Sequence, residues 1–155
     1  MEISGGDVLH NMLGFQSMNH VIFVYGTLLS GLRLHPCLKS AVLLGAGSVH
    51  AQLFDLGDYP GMICAPENEV STVLGEVYAV SEDLLQKLDE VEEVVPHDDA
   101  ASLYVRRRIA LVHPASGLPA EVWCYLYNRS VQTCVRIPSG DYKAYLSAKA
   151  SVGRG

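Results

Sequence analysis

The stretch Val21-Ile22-Phe23-Val24-Tyr25-Gly26-Thr27-Leu28 decides the fold of this chain. It begins with a continuous apolar run of strand length, which is typical of a strand covered on both faces of its sheet. Gly26 ends the run, and a glycine turn after a buried strand presents successive backbone N–H groups that bind a carboxylate or phosphate. The hydroxyl of Thr27 adds a further donor to this turn. An ordinary strand-ending turn is the alternative interpretation, and a P-loop is excluded because the G-K-[ST] ending is missing.

A second segment, residues 81–92, predicts an amphipathic helix. Ser81 is a suitable N-cap, and Glu82 and Asp83 follow it in the first turn, where acidic side chains suit the helix dipole. At about 100° per residue, one stripe of the helix is apolar. This stripe comprises Leu84, Leu85, Leu88 and Val91. We therefore expect these side chains to pack against the core.

Glu92 falls within the same apolar stripe, four residues after Leu88. A carboxylate that faces a core must be paired, hydrogen-bonded or protonated, and a negative charge near a helix C-terminus is disfavoured. Both effects raise the pKa of Glu92, which suits a general acid or base near neutral pH. The alternative is that the helix ends before Glu92 and that the side chain simply reaches solvent.

The rest of the chain predicts a small α+β domain. Apolar or alternating runs predict strands at residues 20–25, 41–49, 51–56, 73–80, 104–112 and 120–127. Gly75 inside the fourth run indicates a bulge or a close backbone approach, and residues 57–61 predict a turn. Residues 141–150 are a candidate terminal helix. About six strands and one main helix amount to a small mixed, strongly curved β-sheet or barrel.

Length and composition favour a single domain, residues 20–150, preceded by a flexible leader, residues 1–19. The chain has 155 residues, of which 49% are hydrophobic and 18% charged, as in ordinary globular proteins. The net charge is −6, and the one basic cluster, residues 106–108, alternates between the faces of a strand, so no nucleic-acid partner is expected. No apolar run reaches the ~20 residues of a membrane helix, and we see no signal peptide. We therefore expect a cytoplasmic protein that does not enter a membrane.

The four cysteines and six histidines predict no metal site, because no C-x-x-C spacing and no zincin pair occurs. No G-x-S-x-G motif occurs either, so a Ser-His-Asp hydrolase is not indicated. Trp123, Tyr125 and Tyr127 share one face of their predicted strand. Such an aromatic row packs a core more often than it lines a pocket, but a phenol hydroxyl within it is able to hold a small ligand.

Six short segments, in chain order, resemble those of the gamma-glutamylcyclotransferase-like family. They are Tyr25-Gly26-Thr27-Leu28, Tyr59-Pro60-Gly61, Gly75-Glu76-Val77-Tyr78, Leu88-Asp89-Glu90-Val91-Glu92, Tyr104-Val105-Arg106-Arg107 and Trp123-Cys124-Tyr125-Leu126-Tyr127. The resemblance implies a small mixed barrel with a cavity at one end. It also implies cleavage of a γ-glutamyl amide, with release of 5-oxoproline and a free amine. In length, the chain is most similar to the short gamma-glutamylamine cyclotransferases and their bacterial relatives.

The resemblance, carried over by position, implies roles for seven residues. Glu92 matches the family's catalytic glutamate, which takes a proton from the substrate's α-amino group and later delivers it to the leaving amine. The backbone of the first segment is expected to hold the α-carboxylate and α-amino end of the substrate, and this segment consists of Tyr25, Gly26, Thr27 and Leu28. Tyr104 and Tyr125 are expected to line the cavity or to orient Glu92. No metal, nucleotide or other cofactor is implied.

Glu93 departs from the family pattern, which usually has glycine directly after the glutamate. Glycine at that position lets the helix end and the chain turn away, whereas Glu93 places a second acid beside Glu92 and raises the pKa of Glu92 further. Residues 94–102 form a long acidic loop at a position that overhangs the expected cavity. Two alternatives stay open: a binding module of the same fold, for a carboxylated metabolite or a partner protein, and a different γ-glutamyl transferase or lyase. The expected partner is a small γ-glutamyl substrate, and the expected assembly is a monomer or weak homodimer.

Overall fold

A computed structural model describes residues 17–154 of the protein, with side chains up to Ser151. The described residues form two α-helices, α1 (Glu82–Val91) and α2 (Tyr142–Arg154), and two 3-10 helices, His35–Leu38 and Asp99–Ala101. The strands are β1 (His20–Val24), β2 (Val42–Asp55), β3 (Pro60–Cys64), β4 (Thr72–Val80), β5 (Tyr104–Ala110), β6 (Glu121–Tyr127) and β7 (Val135–Arg136). Most of the predicted leader lies outside the described residues.

One curled, mixed sheet contains all of these strands. Their spatial order is β3-β2-β4-β1-β6-β5, and the short β7 pairs with β2. The pairing of β1 with β6 is parallel, and the other pairings are antiparallel. The sheet curls into a half-barrel until the edge strand β3 approaches β6, where a Cβ added to Gly61 would lie 2.9 Å from the Tyr127 side chain. The predicted α+β class with a mixed, strongly curved sheet is confirmed.

Strand β1 lies inside the sheet, between β4 and β6. Ile22 and Phe23 are fully buried, at 0% exposure, as predicted for a strand covered on both faces. The neighbouring β4 passes so close that a Cβ added to Gly75 would lie 2.1 Å from the carbonyl oxygen of Val24. The predicted close backbone approach at Gly75 is therefore confirmed. Because β1 ends at Val24, the turn that begins at Tyr25 leaves the sheet immediately.

The prediction was wrong about two strand boundaries. The two strands expected at residues 41–49 and 51–56 are one long strand, β2, with a register shift between Leu43 and Gly45. The turn expected over residues 57–61 is shorter, because Pro60 already begins β3 and pairs with Asp55. Pairing to β4 along one half and to β3 along the other keeps β2 extended. Proline is tolerated as the first residue of an edge strand, where no N–H is required.

Helix α1 begins as its sequence predicts. The Ser81 side chain accepts a hydrogen bond from the Leu84 N–H at 3.1 Å, so Ser81 is the N-cap. Leu84, Leu85 and Leu88 are buried against the core. Val91 was expected in the same buried stripe, but it is 39% exposed. The helix ends at this residue, three positions beyond Leu88, which is fully buried.

A left-handed residue, Glu93 at φ 57°, closes the C-terminus of α1. The Glu93 N–H donates to the Glu90 carbonyl at 3.1 Å, and the Val94 N–H donates to the Asp89 carbonyl at 2.9 Å. This pair of bonds is a Schellman motif, in which the left-handed position is usually glycine. Glu92 is consequently the C-cap, so the helix reaches it as predicted.

Helix α2 begins one residue after the predicted start and extends four residues beyond the predicted end. Neither α-helix in the described part of the chain has the length and apolarity needed to cross a membrane.

Candidate active site

A cavity of about 70 Å³ lies between the turn that follows β1 and the C-terminus of α1. The seven residues predicted for the site all line it: Tyr25, Gly26, Thr27, Leu28, Glu92, Tyr104 and Tyr125. The structure therefore brings together residues from the turn after the first strand, the helix end and the last two long strands. Nine further residues that were not predicted as site residues also line it, namely Phe23, Val24, Arg33, Leu34, Tyr59, Pro60, Val91, Glu93 and Leu103. No motif marks Arg33, Leu34 or Leu103, whereas the other six lie in or directly beside segments singled out for the first strand, the helix or the family resemblance.

The turn after β1 is shaped by its own backbone. The Leu29 N–H donates to the Gly26 carbonyl at 2.9 Å, and the Leu34 N–H donates to the Thr27 carbonyl at 2.8 Å. Within residues 17–154, the N–H groups of Thr27 and Leu28 donate to no protein acceptor. Successive free N–H groups on the wall of a cavity are suited to binding a carboxylate.

Glu76 in β4 holds this turn from behind. Its carboxylate accepts from the Ser30 N–H at 2.9 Å, from the Ser30 hydroxyl at 2.7 Å and from the Tyr78 hydroxyl at 2.9 Å. Lys143 of α2 completes the cluster by donating to the Ser30 hydroxyl at 2.8 Å. Burial alone would raise the pKa of Glu76, but these hydrogen bonds and the Lys143 charge lower it, so the carboxylate is ionised. This role of Glu76 was not predicted, although an acidic residue within an apolar strand is a sequence signal for it.

Glu92 presents its carboxyl group to the cavity from the C-cap of α1. No donor in the described part of the chain hydrogen-bonds to this carboxyl group. Burial chiefly, and the neighbouring Glu93 charge in addition, raise its pKa from 4.5 to about 7. A carboxyl group with this pKa is able to take up and release a proton near neutral pH.

Three buried tyrosines surround Glu92, and each phenol donates its proton to an acceptor within the protein. Tyr25 donates to the Tyr125 carbonyl at 2.7 Å, and Tyr104 donates to the Pro60 carbonyl at 2.6 Å. Tyr125 donates to the Asp89 carboxylate at 2.6 Å. Burial is the largest cause of the raised pKa of all three phenols, so they are neutral near pH 7.

An ion pair beneath the cavity fixes Tyr125. The Asp89 carboxylate accepts two hydrogen bonds from the Arg106 guanidinium, at 2.8 and 3.1 Å. The guanidinium in turn lies 4.4 Å from the centre of the Trp123 ring. The aromatic face of β6 therefore divides in two: Tyr125 reaches the cavity, and Trp123 packs against an arginine. In the part of the chain that the structure describes, no three His, Cys, Asp or Glu side chains cluster as a metal site would require.

Comparison with known proteins identifies relatives over most of the chain. The family described as "Gamma-glutamyl cyclotransferase, AIG2-like" matches residues 22–144. The chain is 38% identical over 132 residues to the gamma-L-glutamyl-butirosin B gamma-glutamyl cyclotransferase of Niallia circulans, covering 84% of this chain and 80% of that one. It is 34% identical over 127 residues to a putative gamma-glutamylcyclotransferase of Vibrio cholerae, covering 81% and 96%.

Solved structures show the same fold. An AIG2-like protein from Mus musculus superimposes with a TM-score of 0.63 at 25% identity, over 79% of this chain and 87% of that one. The solution structure of protein ytfP from Escherichia coli superimposes with a TM-score of 0.58 at 32% identity, over 79% and 95%.

Proposed function

The chain belongs to the AIG2-like gamma-glutamyl cyclotransferase family, and on this premise we propose that it releases 5-oxoproline and a free amine from a γ-glutamyl amide. The observation that carries the proposal is the position of Glu92. Its carboxyl group, with a pKa of about 7, borders the same cavity as the N–H groups of Thr27 and Leu28. A proton acceptor beside a carboxylate-binding turn suits the cyclisation of a γ-glutamyl group.

In the proposed complex, the turn binds the substrate's α-carboxylate through the N–H groups of Thr27 and Leu28. The γ-glutamyl chain folds back so that its α-nitrogen faces its own γ-carbonyl carbon. Because nucleophile and electrophile belong to one molecule, the protein contributes mainly by holding this folded conformer, which removes much of the entropic cost of attack. Glu76 supports the turn during this step by holding Ser30 in place.

Glu92 carries the proton in the proposed reaction. The neutral α-amine attacks the γ-carbonyl carbon, and the Glu92 carboxylate takes one proton from the attacking nitrogen. The amide C–N bond then breaks, and the Glu92 carboxylic acid gives the same proton to the departing nitrogen. The new bond joins the α-nitrogen to the γ-carbon, the products are 5-oxoproline and an amine, and the carboxylate is restored for the next cycle.

One relative and the cavity lining bear on the identity of the leaving amine. One relative is named as a cyclotransferase of gamma-L-glutamyl-butirosin B. In this chain, the lining of the cavity carries one basic residue, Arg33, and two acidic residues, Glu92 and Glu93. We propose a small-molecule γ-glutamyl amide as the substrate, turned over without a cofactor by a cytoplasmic monomer or weak homodimer.

The test is 5-oxoproline release from a panel of γ-glutamyl amides, namely γ-glutamyl-ε-lysine, γ-glutamylalanine and glutathione. Glu92→Gln should lower turnover by about 10²–10⁴-fold, as expected for the loss of a general acid–base group. Glu90→Gln is the matched control, because Glu90 is exposed on the same helix and does not line the cavity.

Turnover by Glu92→Gln close to that of the unchanged protein would refute the proposed role of Glu92. If the folded protein binds a member of the panel but forms no product from any of them, the binding-module alternative is supported instead. Binding of that kind is detected as a rise in the thermal midpoint with ligand concentration.

A further inference from the structure

The hydrogen-bond acceptors of the cavity tyrosines determine which way their phenol protons point. A backbone carbonyl only accepts, so Tyr25 and Tyr104 must be the donors in their bonds to the Tyr125 and Pro60 carbonyls. The Asp89 carboxylate is held in a two-bond ion pair with Arg106, so Tyr125 must also be a donor. None of the three phenols has a proton left to donate to a ligand.

The phenol oxygens differ in what they can still accept. The backbone N–H of Met62 already interacts with the Tyr25 oxygen. Within residues 17–154, no protein donor reaches the oxygen of Tyr104 or that of Tyr125. Both of these residues line the cavity, and the Glu92 charge acts on both phenols. Tyr25 is therefore structurally satisfied, whereas Tyr104 and Tyr125 keep acceptor capacity next to Glu92.

The cavity consequently has two walls of opposite hydrogen-bonding character. The turn supplies N–H donors from Thr27 and Leu28. The wall of Tyr104, Tyr125 and Glu92 supplies acceptors and no donor when Glu92 is ionised. A ligand that matches both walls carries an anionic acceptor on one side and a group rich in N–H donors on the other. The head of an α-amino acid has this arrangement, with its carboxylate and its ammonium on one carbon.

We propose that the oxygens of Tyr104 and Tyr125, together with Glu92, accept hydrogen bonds from the α-amino group of the γ-glutamyl substrate. This inference rests on the proposed function and identifies the residues that recognise its nucleophile. Three acceptors around one nitrogen fix the direction of its N–H bonds. The bound ammonium loses one proton to water, which frees the nitrogen lone pair for the γ-carbonyl carbon, and Glu92 then takes one proton from the attacking nitrogen as in the proposed reaction.

The test combines a change in the protein with a change in the ligand. Dissociation constants are measured by calorimetry in the Glu92→Gln background, which slows turnover, for γ-glutamylalanine and for glutarylalanine, which lacks only the α-amino group. The starting protein is Glu92→Gln without a tyrosine substitution. It should bind γ-glutamylalanine, the amino ligand, more tightly than glutarylalanine. Tyr104→Phe and Tyr125→Phe should each shrink this preference by on the order of 10-fold, the usual effect of losing a hydrogen bond to a charged group.

Tyr127→Phe is the matched control, because Tyr127 packs against Tyr104 but does not line the cavity. It should leave the preference for the amino ligand unchanged. The inference is overturned if the starting protein does not prefer the amino ligand. It is also overturned if each cavity tyrosine variant weakens both ligands equally, because that result indicates a structural role only.

Failure of the proposed function gives a different result. The unchanged protein would then release no 5-oxoproline, while the coupling between the tyrosines and the α-amino group would still be measurable. Thermal melts of each variant show whether it folds. The ligand comparison in the starting protein tests the inference independently of any tyrosine variant.

Discussion

Burial and the Glu93 charge raise the pKa of Glu92 from 4.5 to about 7, so this residue titrates near neutral pH. The proposed cyclisation needs the carboxylate form first and the acid form later. A pKa near the working pH gives access to both forms. Burial and the Glu93 charge, which together raise this pKa, lead to specific predictions at the scale of single residues.

The first prediction concerns the acid limb of the pH–rate profile. In the unchanged protein, kcat/KM should rise as Glu92 loses its proton, with a midpoint near pH 7. Glu93→Gln removes the neighbouring charge, so the pKa of Glu92 should fall and the limb should move to lower pH. Glu90→Gln should leave the limb in place. An unmoved limb in Glu93→Gln would show that Glu93 does not tune Glu92.

The second prediction concerns stability against pH. The pKa of Glu92 is raised in the folded protein, from 4.5 to about 7, so folding favours the protonated form. Below pH 4.5, Glu92 is protonated in both the folded and the unfolded state, so its ionisation does not lower the free energy of unfolding. As the pH rises from 4.5 to about 7, the unfolded chain ionises first and the folded state loses relative stability, by about 3 kcal/mol in total.

Glu92→Gln removes this ionisation. Its free energy of unfolding should therefore exceed that of the unchanged protein at pH 8 by up to about 3 kcal/mol, and the difference should vanish near pH 4. Urea unfolding at the two pH values measures the difference. A variant that is equally stable or less stable at pH 8 would contradict the raised pKa.

At the scale of elements, the end of α1 explains why Glu93 is unusual. The Schellman motif requires a left-handed residue, and Glu93 adopts φ 57° there. A left-handed conformation costs a non-glycine residue roughly 1–2 kcal/mol, and glycine avoids most of this cost. The strain lies at the residue that follows the proposed catalytic group, which is where strained backbone conformations are commonly found.

The third prediction separates this strain from the charge of the side chain. Glu93→Gly should raise the free energy of unfolding by about 0.5–1 kcal/mol, since relief of strain exceeds the entropic cost of glycine. At pH 4, where Glu92 is protonated in both the folded and the unfolded state, Glu93→Gln keeps the strain and should not produce this gain. Glu90→Gly, inside the helix, should instead lose about 1 kcal/mol. Urea unfolding of the three variants at pH 4 is the measurement, and a loss of stability in Glu93→Gly would refute the strain.

The elements also differ in how far the sequence predicts them. Strand β1 and helix α1 carry strong local signals, a continuous apolar run and a helical stripe with an N-cap, and both were predicted nearly to the residue. Strands β2 and β3 were not, because their extent depends on pairing. Gly57 and Pro60 read as a turn locally, yet pairing with β2 draws Pro60 into a strand.

At the scale of the whole molecule, Glu76 joins three distant parts of the chain. It lies in β4, it accepts from Ser30 in the turn after β1, and it pairs with Lys143 of α2 at 3.5 Å. The turn that lines the cavity is therefore fixed by the strand behind it and by the C-terminal helix. Rigid support of this kind holds a binding loop in its productive geometry.

The fourth prediction tests this support. Glu76→Gln removes charge-assisted hydrogen bonds to Ser30, so the turn should be less well ordered and kcat/KM should fall about 10-fold, mainly through KM. The acid limb of the pH–rate profile should stay in place, because Glu92 keeps its surroundings. Glu69→Gln is the control, since Glu69 pairs with Arg136 and does not line the cavity. An unchanged kcat/KM in Glu76→Gln would contradict the role.

The sequence by itself determined the α+β class, the buried first strand with its glycine turn, and the helix that places Glu92 at its end. These features depend on residues close together in the chain, through apolar periodicity, helix capping and turn chemistry. The local sequence is therefore enough to predict them. The resemblance to a family supplied the remaining site residues. The tertiary structure alone decided that Tyr104 and Tyr125 have no proton to donate, that Glu76 holds the turn and that Asp89 and Arg106 fix Tyr125. Each of these facts depends on partners far apart in the chain, and only the curling of the sheet brings those partners within hydrogen-bonding distance.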